Sequence, residues 1–114
     1  MQIAAILFAL AALGGLTMAG IRLTGTPRPP TWLALGHGGI AAAGLVLLIY
    51  HAATTGIPTL GLAALTVFIL AALGGATLFV GFHLRQKALP IPLVLGHGAA
   101  AITAFILLLL ALVL

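Results

Sequence analysis

Four apolar runs of about twenty residues or more, separated by short breaks rich in proline and glycine, restrict this chain to very few folds. The runs fall at 3–22, 31–51, 59–83 and 92–113. At a rise of about 1.5 Å per residue, a helix of that length crosses the ~30 Å hydrocarbon layer of a bilayer. The breaks are Thr24-Gly25-Thr26-Pro27-Arg28-Pro29-Pro30, Thr54-Thr55-Gly56-Ile57-Pro58 and Arg85-Gln86-Lys87-Ala88-Leu89-Pro90. Proline beside a helix start removes no intrahelical hydrogen bond. A soluble alternative would carry roughly a quarter charged residues; here the figure is 4%, with 64% hydrophobic. The expectation is therefore all-α: one integral membrane four-helix bundle over residues 1–114, with short connections that make sequential helices antiparallel neighbours.

Charge predicts the orientation. There is no Asp or Glu, and all of Arg22, Arg28, Arg85 and Lys87 fall at or in the first and third connections. Basic loops stay on the cytoplasmic side, which places both termini outside, in a bacterial inner membrane. The first run lacks a basic leader and a cleavage site, so it reads as a retained span. Trp32 and Tyr50 suit interfacial anchors at the two ends of the second span.

The two halves repeat at an offset of 60 residues without a gap. Comparing 8–54 with 68–114 gives 17 identities in 47 positions. Ala and Leu inflate that figure, but Gly14-Gly15 and Gly74-Gly75, Thr17 and Thr77, Pro30 and Pro90, and Gly36-His37-Gly38 and Gly96-His97-Gly98 are all in register. Each repeat, about 1–54 and 61–114, is one helical hairpin. Hairpins of two spans keep the same orientation, so the expected relation is a pseudo-twofold axis along the membrane normal. His37 and His97 then lie at equal depth and can face each other. Hydrophobic pattern gives no helix faces, because the helices are apolar all round.

A histidine inside a span is costly and marks a functional hypothesis. His37 and His97 lie ~8–9 Å into their helices from the basic end, and the two glycine pairs ~11–12 Å from the same end. Two helices thus offer imidazoles and two offer bare backbone in one layer. That layer suits a flat tetrapyrrole, whose iron takes an imidazole on each face. Gly14, Gly15, Gly74 and Gly75 would let its edges approach the backbone, and Gly38 and Gly98 flank the ligands. Thr17 and Thr77, or a backbone carbonyl, could accept a hydrogen bond from each imidazole's other nitrogen. Arg22, Arg28, Arg85 and Lys87 could pair with anionic propionates.

In this arrangement of His37, His97 and the glycine pairs, the chain resembles the transmembrane b-type cytochromes, four-helix bundles that hold heme between histidines on alternate helices. The resemblance covers all four spans as an arrangement and not as an alignable sequence. It implies heme b ligated by His37 and His97, electron transfer to or from quinone or other membrane redox subunits, and no catalysis at an iron with both axial positions filled. The diheme members carry a second histidine on each ligand helix. Here His51 matches Ala111 and His83 matches Leu23, so one heme is expected.

Other classes remain open or fall away. A histidine among glycines also suits the magnesium of a chlorophyll-type pigment, one per histidine. A cofactor-free structural subunit of a respiratory or photosynthetic complex is a third reading, and glycine pairs in membrane helices commonly serve packing. A homo-oligomer is compatible with any of these. Small multidrug exporters share the length and span number, but they depend on a buried glutamate that this chain lacks. Hydrolytic chemistry lacks carboxylate, cysteine and serine, and membrane lipid, not nucleic acid, is the expected surroundings.

Overall fold

In a computed structural model describing all 114 residues, the chain forms four long helices: α1 (Gln2–Leu23), α2 (Thr31–Thr54), α3 (Thr59–Leu78) and α4 (Ile91–Val113). α3 continues through a π-helical turn, Phe79–His83, so that Thr59–His83 is one rod. Each of the four is long and apolar enough to cross a membrane. The expected limits hold within a few residues; α2 runs one turn further than expected, to Thr54.

The breaks work as the local chemistry requires. Pro30, Pro58 and Pro90 each stand immediately before a helix, where a missing N–H costs nothing. Gly25 and Gly56 take left-handed backbone just beyond α1 and α2, with φ of 114° and 77°. The third break has no glycine, and Gln86 adopts φ of 56° in its place. Lys87 N–H then closes the turn on the Phe82 carbonyl at 2.9 Å.

α1 packs on α2 and α3 on α4, and the hairpins join through α1 with α4 and α2 with α3. The α2 and α4 helices are thus diagonal, as are α1 and α3. The bundle measures 42 × 20 × 19 Å. Both termini and the α2–α3 connection lie at one end, and all four cations lie at the other.

The core is narrow. Its main cluster, in the half nearer the termini, contains Ala4, Phe8, Leu48, Ala64, Phe68, Ala104 and Leu108, all at most 6% exposed. Six of these residues come in pairs 60 apart, Ala4 with Ala64, Phe8 with Phe68 and Leu48 with Leu108, while Ala104 matches Gly44. The Phe8 and Phe68 rings stack across the bundle with centroids 3.7 Å apart and planes 7° from parallel. Phe8 also covers Gly44, where a Cβ would meet its ring at 3.2 Å. A smaller cluster of Leu78, Leu89 and Val94 closes the basic end. Large apolar side chains such as Leu13, Val46, Leu73 and Ile106 cover the outside and are more than half exposed.

Candidate functional site

Between the two apolar clusters lies a layer containing His37 on α2 and His97 on α4. The structure brings them together as the repeat predicts: the ring centres are 6.1 Å apart and the planes cross at 87°. Each imidazole is tethered inside its own hairpin. His37 Nδ1–H donates to the Ala11 carbonyl at 2.7 Å, and His97 Nδ1–H donates to the Ala71 carbonyl at 2.7 Å. A carbonyl can only accept, so the proton sits on Nδ1. In the neutral imidazole Nε2 is then a bare lone pair. Neither Nε2 makes a hydrogen bond.

The glycines explain why those carbonyls are reachable. A helical side chain leans back over the preceding turn, so a residue four positions on would shield the carbonyl before it. Gly15 and Gly75 stand four positions after Ala11 and Ala71. A Cβ at Gly15 would sit 3.0 Å from His37 Cε1, and one at Gly75 would sit 3.0 Å from His97 Cε1. Gly14 and Gly74 also abut the histidines, but at an ordinary 3.5 and 3.6 Å. The space these glycines clear is therefore taken by the imidazoles themselves. Gly36, Gly38, Gly96 and Gly98 face open space.

The second imidazole nitrogen is held by a backbone carbonyl and not by a threonine. Thr17 and Thr77 instead donate back to Leu13 and Leu73 of their own helices, each at 2.8 Å. The cations divide. Arg22 Nε–H donates to the Leu89 carbonyl at 2.8 Å, which ties the last turn of α1 to the third connection. Arg85 and Lys87 are exposed, and Arg28 lines a cleft at the basic end. His51, beside Tyr50 near the end of α2, and His83, at the opposite end, do not meet.

The sequence places His83 near the basic end of the third span, without a counterpart in the other repeat. It is buried, its Nε2 lies 3.0 Å from Thr31 Oγ1, and its ring stacks on Phe79 at 5.2 Å. The π-helical turn that delivers it has no signature in hydropathy, although a histidine without a counterpart in the other repeat is itself a signal.

Two side chains do not complete a bare metal site, since zinc ordinarily takes four ligands. No three His, Cys, Asp or Glu residues cluster in the chain. The remaining positions would have to come from the ligand, as a tetrapyrrole supplies them. His37 and His97, with ring centres 6.1 Å apart, are the residues that could hold such a group. Searches of protein-family models, curated proteins and solved structures give no significant match to this chain.

Proposed function

We propose that this chain is a multi-pass membrane protein that carries electrons through one heme b held between His37 and His97. Its two hairpins are related by a pseudo-twofold axis along the membrane normal, with basic loops cytoplasmic and termini outside. The observation that carries this reading is the matched pair of imidazoles, each fixed through Nδ1, each with Nε2 unclaimed, at 6.1 Å between centres. The apolar exterior and the one-sided charge support the membrane placement.

The chain's own contribution is orientation and basicity. The Ala11 and Ala71 carbonyls fix each tautomer and restrain each ring, and a hydrogen-bonded Nδ1–H raises the donor strength of Nε2. Gly15 and Gly75 admit the rings to those carbonyls. A heme held by His37 and His97 would supply one-electron chemistry. Arg85 and Lys87, exposed and without a protein counter-charge, are the readiest partners for propionates; Arg22 and Arg28 stand at the same end.

A reduced-minus-oxidised absorption spectrum of the purified protein tests the proposal. Sharp b-type bands are expected. A far-red band would point to a chlorophyll-type ring, and a colourless protein that takes up no hemin would leave a structural subunit.

A further inference from the structure

The basic end holds a second polar site that the repeat does not explain. A cleft of about 610 Å³ opens there, lined by Thr26, Arg28, Thr31, His83 and Gln86, with Ile21 on its apolar side. Three of its polar residues have no like counterpart in the other half: Arg28 matches Ala88, Thr31 matches Ile91 and His83 matches Leu23. Packing imposed by the repeat would recur at both corners of the bundle. Arg28, Thr31 and His83 do not recur, so this cleft's polar lining belongs to one corner.

Its chemistry is one-sided. Arg28 makes no hydrogen bond within the chain, and no acidic side chain exists to neutralise it. The first turn of α2 enters the cleft at Pro30 and Thr31 with no side-chain cap and no acidic residue, so its free N–H groups add positive potential. His83 is 8% exposed, and its Nδ1 is buried with no partner. A buried polar atom of this kind calls for an explanation. The cleft thus offers a guanidinium, hydroxyls, an amide and a helix N-terminus, with no anionic acceptor.

We propose that this cleft binds a phosphate group, with the headgroup of an anionic membrane lipid as the source its position favours. The bundle is 42 Å long, and a bilayer with its headgroups is about 40–45 Å thick. The end of the bundle therefore lies at headgroup depth. Arg28 supplies a charge-assisted donor to the phosphate oxygens, α2 supplies backbone N–H, and Ile21 borders the lipid's first carbons. This inference rests on the membrane reading alone and not on the heme.

The test uses the full chain purified in detergent after exposure to mixed phosphatidylglycerol and phosphatidylcholine, with retained lipid read by native mass spectrometry. Wild type should keep phosphatidylglycerol over phosphatidylcholine. Arg28→Gln should lower retention about tenfold, and Arg28→Lys, which keeps the charge and loses the fork, should fall between. Gln86→Ala gives a second, milder probe of the cleft. Arg85→Gln and Lys87→Gln remove the same charge from the same end and should change retention less than about twofold. Competition by millimolar inorganic phosphate would identify the phosphate alone as the recognised group. Retention that resists it would assign the site to the whole lipid. Equal losses in the Arg28, Arg85 and Lys87 variants, or no preference over phosphatidylcholine, overturn the inference. So does loss of the lipid in His97→Ala, which would make the cleft part of the histidine site.

Discussion

Adjacent glycines in α1 should respond to the same substitution with opposite signs. An alanine at Gly15 would place its Cβ 3.0 Å from His37 Cε1 and 3.4 Å from Nδ1. Side-chain carbons normally rest about 3.5–4.0 Å apart, so the ring would have to retreat by about 0.5–1 Å. It has little freedom to do so, because Nδ1 is tied to the Ala11 carbonyl at 2.7 Å. Losing that hydrogen bond costs about 0.5–1.5 kcal/mol, and overpacking adds about 1–3 kcal/mol. Helix propensity returns about 1 kcal/mol. The expected result is a net destabilisation of about 2 kcal/mol. At Gly14 the nearest atom would be His37 Cβ at 3.5 Å, an ordinary contact, so only the propensity term remains. Gly14→Ala should stabilise by up to about 1 kcal/mol. Gly74→Ala and Gly75→Ala should reproduce the pair, with distances of 3.6 and 3.0 Å. Denaturant unfolding in mild detergent, followed by circular dichroism, measures all four. Equal effects at Gly14 and Gly15, or a stabilising Gly15→Ala, would refute the idea that Gly15 exists to admit the imidazole.

Three further outcomes are expected. His37→Ala or His97→Ala should each abolish a low-spin bis-imidazole spectrum, whereas His51→Ala should leave it intact; the reverse pattern would show that the ligands are misassigned. Gln86→Gly should raise stability by about 0.5–1 kcal/mol in the same unfolding assay, because the side chain now occupies a left-handed backbone that glycine adopts freely. Thr31→Val should lower it by about 1–3 kcal/mol, since buried His83 would then have neither ring nitrogen paired; an unchanged midpoint would mean that the Thr31 bond contributes nothing.

Much of the architecture is legible in the sequence because it rests on length and chemistry. The apolar runs set the helices, prolines mark their starts, and the offset of 60 pairs His37 with His97. What the helices bury is not legible, since residues such as Leu10 and Leu48 are equally apolar, yet one is 49% exposed and the other fully buried. Only the repeat hints at the answer, through Phe8 and Phe68. The histidine tether was half visible. The sequence allows either a carbonyl or a threonine as acceptor, but threonines inside helices satisfy themselves on the preceding turn, as Thr17 and Thr77 do. The links between Arg22 and Leu89 and between Thr31 and His83 span 67 and 52 residues, and nothing local announces them.

The tether also makes each hairpin self-sufficient in holding its histidine. Ala11, Gly15 and His37 belong to one hairpin, and Ala71, Gly75 and His97 to the other. Each hairpin can therefore orient its own imidazole before the two halves meet. Part of the entropy of fixing the imidazoles is then lost within each hairpin, so closing the two halves brings together rings that are already oriented.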